Sequence, residues 1–121
     1  VILPVSAPFH STLMKPAAKK LAAELDKVTL HDAAFPVASN YTGELQQTAA
    51  QIKANLVAQA DHPVRWIACV AMMRDFGADT YIECGPGKTL AGFNKRIDKT
   101  LTSMNVEDEA SLQKTLDTLN K

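Results

Sequence analysis

The sequence has little of what usually announces a function class. It holds two cysteines, Cys69 and Cys84, with no CxxC or zinc-type spacing between them. A disulfide framework and a zinc site are therefore both unsupported, and the pair reads as buried, reduced thiols of a cytosolic protein. The histidines His10, His31 and His62 contain no i, i+4 pair, which argues against metal catalysis. No apolar run approaches the roughly 20 residues that a membrane helix needs. No signal-peptide pattern opens the chain. Neither sign of charge is in excess: 13 basic and 13 acidic residues balance to zero. Without a Lys/Arg block there is no footprint for nucleic acid. Internal repeats, low-complexity tracts and linkers are absent as well.

What is present is an ordinary globular composition, 46% hydrophobic over 121 residues. That length suits a single domain able to bury roughly 65% of its unfolded surface. The apolar run begins at Val1 with no polar lead-in, as though the sequence started within a larger protein.

Periodicity orders the chain. Val1–Val5 reads as a short strand, confined by Pro4 to an edge or an end. Leu13, Ala17, Leu21, Leu25 and Val28 recur at spacings of three and four, an amphipathic helix. Ser11 or Thr12 is the candidate cap, and Pro16 puts the start of regular helix near Lys15, with room for a 3-10 turn before it. Phe35–Ser39 reads as a strand, followed by a turn at residues 40–43. Thr48–Ala60 reads as a helix, with His62 beyond its end as a capping residue. Pro63 suits the first turn of the next helix, Val64–Phe76, which Gly77 stops. Thr80–Cys84 reads as a buried strand. A helix follows over Lys88–Ile97 with Leu90, Phe93 and Ile97 inward, then an edge strand over Leu101–Val106. A final helix over Ser111–Leu119 carries Leu112, Leu116 and Leu119. Strands alternating with helices indicate an α/β sheet with parallel pairing.

Three local features bear on chemistry. The stretch "ECGPGKT" is superficially a phosphate loop, but the position five residues before its Gly-Lys pair is Ile82, so the loop is too short. Gly85-Pro86-Gly87 reads as a structural turn, and Lys88 as a solvated charge. No serine among Ser6, Ser11, Ser39, Ser103 and Ser111 has the Gly-x-Ser-x-Gly surroundings of an α/β acyl-transfer nucleophile. His10 closes an apolar run and opens a helix. Read locally, it is a structural or capping histidine before it is a catalytic one.

Four segments change that balance: "SAPFHSTLMKPAAKKLAAEL", "FPVASNYTGE", "HPVRW" and "IECGPGKTLAGF". In this order and spacing they resemble the C-terminal part of the bacterial malonyl-CoA:acyl carrier protein transacylase family and, more distantly, polyketide-synthase acyltransferase domains. The resemblance spans essentially all 121 residues. It implies an α/β-hydrolase-like large subdomain and a ferredoxin-like small one. Residues 1–9 would end the small subdomain with its last strand, and residues 10–121 would return into the large one.

The resemblance implies cytoplasmic malonyl transfer for fatty acid synthesis through an acyl-serine, by ping-pong covalent catalysis. Malonyl-CoA is then the substrate thioester, with no bound cofactor or metal. Acyl carrier protein is the acceptor, and nucleic acid and membrane play no part. His10 matches the catalytic histidine. Gln59 matches a position whose backbone carbonyl orients that histidine; its residue type reads equally as a solvent-facing helix position. Phe9 matches a position that bears on the acyl α-carbon substituent, or is simply a core aromatic. Gly85, Pro86 and Gly87 match a family turn.

The departures are as telling. The nucleophilic serine segment, the arginine that pairs the malonyl carboxylate and the oxyanion-hole amides are absent. The expectation is a portion that is inactive alone and needs the missing N-terminal part as its partner. The alternatives are a non-catalytic module that docks acyl carrier protein or a subunit, and a portion of a polyketide-synthase acyltransferase.

Overall fold

A computed structural model describes Ile2 and residues 4–121. The chain divides into two compact units rather than one domain, the first ending at Met73 and the second starting at Arg74. Each has its own two-stranded sheet, one antiparallel and one parallel, so the sequence pattern of a single alternating sheet is not realised.

In the first unit, a 3-10 turn at Thr12–Met14 leads into α1, Lys15–Leu25, with Pro16 in its first turn. Neither candidate cap works through its hydroxyl. The Ser11 side chain instead donates to the Pro8 carbonyl at 2.7 Å, three residues back. The strand expected over Val1–Val5 does not form at Ile2, Pro4 or Val5, while Val1 and Leu3 lie outside the described residues. A lone strand has no neighbour here to take its backbone N–H and C=O groups.

The α1 face also differs from expectation. Ala18 is buried, while Ala17 and Leu21 are exposed and Leu13 and Val28 fall outside the helix, which packs on α2, Ala49–Gln59. A 2.7 Å Lys53–Asp26 ion pair adds to this contact.

A short hairpin connects α1 to α2: β1, Val37–Ala38, pairs antiparallel with β2, Leu45–Gln46. Its loop is organised by Ser39, whose buried hydroxyl accepts from the Tyr41 and Thr42 amides. Thr48 and Gln51 form a reciprocal capping box that fixes where α2 begins. Then α3, Trp66–Phe76, starts two residues later than its apolar pattern and buries Cys69 and Val70. Cys69 Sγ donates to the Ser39 carbonyl at 3.2 Å, tying α3 to the hairpin loop.

Gly43 is the residue that allows this packing. Its φ is +75°, and a Cβ built there would sit 2.6 Å from Cβ of Ala68 on α3.

In the second unit, β3, Thr80–Cys84, pairs parallel with β4, Thr102–Val106, over five residues, and α4, Thr89–Ile97, connects them. The last helix, α5, Glu109–Leu119, packs on β4. It starts two residues earlier than its leucine pattern, because Asp108 and Ser111 make a capping box. Strand alternation places Tyr81, Glu83, Ser103 and Asn105 on one face, which is buried or half-buried. The other face carries Ile82, Cys84, Met104 and Val106, and Ile82 and Cys84 are exposed. So β3 is not the buried strand that its sequence suggests.

The helices show the same inversion. α4 buries Ala91 and Asn94, while Leu90 and Phe93 are exposed; α5 buries Thr115 and exposes Leu112, Leu116 and Leu119. The apolar stripes are where the periodicity puts them, but nothing in the unit covers them fully.

Gly43→Ala is expected to lower stability by about 2–3 kcal/mol, the sum of a strained positive φ and an overpacked contact. Chemical denaturation of the two proteins measures it, and equal midpoints would contradict the close approach of residue 43 to Ala68.

Candidate functional site

The site is built on the C-terminal end of α2. The last carbonyls of a helix have no intrahelical partner and must find donors elsewhere. One donor is His10, whose Nδ1 lies 2.8 Å from the Gln59 carbonyl oxygen, across 49 residues of sequence. A carbonyl only accepts, so Nδ1 carries the proton. In its neutral form the ring therefore leaves Nε2 unprotonated, with a lone pair able to accept a proton.

His10 takes an unusual backbone conformation to do this. Its φ is +58°, the only positive value at a non-glycine position among the described residues. Left-handed backbone costs an ordinary L-residue roughly 1–2 kcal/mol. The Ser11–Pro8 hydrogen bond closes the chain around Phe9 and His10 and helps hold the turn. Strain of this kind concentrates at sites where a side chain must be aimed.

Phe9 is 57% exposed among the described residues. Ser11 is excluded as a partner for His10 because its hydroxyl is committed to Pro8. Ser39 and Ser111 are committed to turn and cap, and Ser103 is buried in the second unit. No described serine hydrogen-bonds to His10.

His62 caps α2 as its position suggests. Its Nδ1 lies 2.7 Å from the Ala58 carbonyl and 2.8 Å from Asp61 Oδ1, and its ring meets Tyr41 edge-on at 4.8 Å. An open hollow of about 530 Å³ lies beside it, lined by Tyr41, Thr42, Glu44, His62, Pro63 and Arg65. His31 is exposed, as a surface histidine should be.

The Gly85-Pro86-Gly87 turn belongs to the second unit. Gly85 and Gly87 both have positive φ, 140° and 84°. The amides that a phosphate would use are already taken. Glu107 Oε2 accepts from the Gly87 amide at 2.6 Å, and Glu83 Oε2 accepts from the Ala91 amide at 2.9 Å. Glu83 thereby caps α4 from the strand, since Lys88 at the N-cap makes no side-chain cap. Two carboxylates at this turn oppose anion binding. Lys88 is exposed.

Among the described residues, no group of three His, Cys, Asp or Glu side chains is placed to hold a metal ion. No helix among them is long and apolar enough to cross a membrane.

No family model matches the chain. A curated malonyl CoA-acyl carrier protein transacylase from Bacillus subtilis is 40% identical over 119 residues, which is 98% of this chain and 38% of that protein. The chain is related to the malonyl CoA-acyl carrier protein transacylases. A crystal structure of such a transacylase from Clostridium perfringens matches 99% of the chain at 45% identity with a TM-score of 0.91, again over 38% of its own length. A malonyl-transacylase solved in complex with a type II polyketide acyl carrier protein matches 96% at 41% identity, with a TM-score of 0.86. The mixed α/β fold is thus that of the corresponding portion of a transacylase. The chain spans less than two fifths of the length of these relatives.

The two thiols give a check on the packing beside this site. Burial pushes the Cys69 thiol above its ordinary value, against a smaller opposing effect of its backbone hydrogen bond, whereas Cys84 is exposed. Near pH 8, iodoacetamide should modify Cys84 at least about tenfold faster than Cys69, and Cys69 should need more alkaline conditions. Equal rates, read by peptide mass spectrometry, would contradict the packing of α3 against Ser39.

Proposed function

We propose that this chain is the histidine-bearing, C-terminal portion of a malonyl-CoA:acyl carrier protein transacylase. The observation that carries the reading is His10, held by the Gln59 carbonyl with Nε2 left as a base, in a chain related throughout its length to these enzymes. In this reading the nucleophilic serine, the arginine for the malonyl carboxylate and the oxyanion amides come from sequence outside these 121 residues.

The chemistry follows from the ring's orientation. As the serine oxygen attacks the malonyl thioester carbonyl, its proton passes to His10 Nε2. The tetrahedral intermediate collapses, the C–S bond breaks, and the proton goes to the departing coenzyme A thiolate. In the second half, the carrier protein's phosphopantetheine thiol gives its proton to Nε2 and attacks the acyl-serine. The proton then returns to the serine oxygen as the ester bond breaks. General acid–base help of this kind contributes roughly 10²–10⁴-fold. Gln59 supplies the neutral acceptor that orients the ring, in the place where serine-hydrolase triads use a carboxylate. The negative end of the α2 dipole adds to the complement of a transient imidazolium. Phe9 sets the room beside the acyl α-carbon, favouring malonyl over bulkier groups. The thioester is a substrate, and the chemistry calls for no further cofactor.

The exposed apolar surface of the second unit supports a need for further sequence. Parallel sheets normally have more than two strands and both faces covered, yet β3 and β4 stand as a pair with Ile82 exposed. The remaining part of the enzyme is the partner this reading assigns to the stripes on α4 and α5. A second reading concerns pathway. The similarity to a transacylase solved with a type II polyketide carrier protein favours a polyketide carrier as the alternative to a fatty-acid carrier in the cytosol.

The 121-residue chain alone should transfer no radiolabelled malonyl from coenzyme A to acyl carrier protein. Mixing it with the complementary N-terminal portion of a homologous transacylase should restore transfer, and comparing both carriers separates the two pathways. Transfer by the pure chain would overturn the assignment of the nucleophile to other sequence.

A further inference from the structure

α2 ends in two consecutive carbonyls, and each meets an imidazole through Nδ1: Ala58 O with His62 at 2.7 Å, and Gln59 O with His10 at 2.8 Å. The two carbonyls lie in successive planar peptide units that meet at the Gln59 Cα, and while Gln59 keeps helical φ and ψ their relative direction is set. What fixes the direction of Ala58 C=O therefore constrains that of Gln59 C=O. The Ala60 amide bonds back to Val57 O at 3.2 Å, so this last turn already departs from regular α geometry and depends on outside donors.

His62 is placed to be that outside donor: its single Nδ1 proton is shared between Ala58 O and Asp61 Oδ1, and the Tyr41 ring packs on the imidazole. Asp61 Oδ1 accepts from the same Nδ1 at 2.8 Å, and only 12% of the Asp61 side chain is exposed. The Tyr41 ring packs against it at 4.8 Å with an interplanar angle of 61°. Tyr41 belongs to the hairpin loop that Ser39 organises and that Gly43 seats on α3. A continuous set of contacts thus runs from the loop through Tyr41, His62 and Ala58 O to the carbonyl that holds His10.

We propose that His62 is a positioning residue: by donating to Ala58 O it fixes the last turn of α2, aims the Gln59 carbonyl at His10, and so selects the His10 tautomer with Nε2 free. Its consequence for catalysis rests on the reading of His10 as the base. The structural part does not, because the tautomer is measurable without turnover.

The test uses the full 121-residue chain, labelled with ¹⁵N at histidine, at a pH about two units above the ordinary imidazole pKa of about 6.5. Long-range proton–nitrogen correlation reads each ring's tautomer, and loss of signals in His10→Gln assigns His10. Wild type should show His10 as a single Nδ1–H tautomer. His62→Phe keeps a ring beside Tyr41 but removes the donor, and His10 should become a mixture dominated by the Nε2–H form that free imidazole side chains prefer. His62→Asn keeps a short donor within reach of Ala58 O and should restore the Nδ1–H form. An unchanged His10 tautomer in His62→Phe overturns the proposal, as does failure of His62→Asn to rescue it. If His62→Phe does not fold, His62→Asn beside His62→Leu gives the same comparison of donor against no donor. Failure of the transacylase reading would appear only in the transfer assay and leave this result standing.

Discussion

The hydrogen bond between His10 Nδ1 and the Gln59 carbonyl joins residues 49 apart, and the other features of the first unit can be ordered by what they do for it. The capping box at Thr48 and Gln51 sets where α2 begins. Its last turn then delivers the carbonyl. The Pro8–Ser11 turn holds His10 in left-handed backbone so that the ring faces that carbonyl. Because an oxygen acceptor decides which nitrogen keeps the proton, one neutral main-chain group sets which ring nitrogen is left basic. The ring is held without a carboxylate partner, and the amide side chain of Gln59 takes no part in the bond.

A second constraint comes from what the chain leaves uncovered. The amphipathic helices of the second unit bury small or polar residues, Ala91, Asn94 and Thr115, and expose their leucines. Polar interactions do much of the work in that unit. Glu83 caps α4 from a neighbouring strand, and Glu107 closes the glycine turn. Thr100 lowers the Asp98 carboxyl below its usual value, with a smaller contribution from Arg74. Such contacts fix geometry well and contribute little to burial. The unit thus leaves apolar stripes exposed, and the chain spans 38% of the length of the relatives it matches.

The sequence was most informative where structure depends on near neighbours. Helix positions, the 3-10 entry before Pro16, the His62 cap and the β3–α4–β4 order all follow from local periodicity and turn chemistry. The two-residue strands of the hairpin are too short to leave a pattern, so β2 was not visible. The inward faces of α1 and α4 differ from the pattern because periodicity locates an apolar stripe without saying whether the chain itself covers it. The capping of α4 by Glu83 was invisible for a related reason, since its donor and acceptor lie on different elements. At the site, His10 and Gln59 were legible only through the combined resemblance of four segments. Nothing local links them, and the positive φ at His10 has no signature in its residue type.

The central claim is that His10 is the base of an acyl transfer whose nucleophile lies elsewhere. It is tested most directly by the rate of malonyl-serine formation in the reassembled enzyme, followed by rapid-quench with radiolabelled malonyl-CoA. Replacing His10 with alanine should slow that step by roughly 10²–10⁴-fold while the complex still forms. Acyl-serine formation at the wild-type rate would contradict the account.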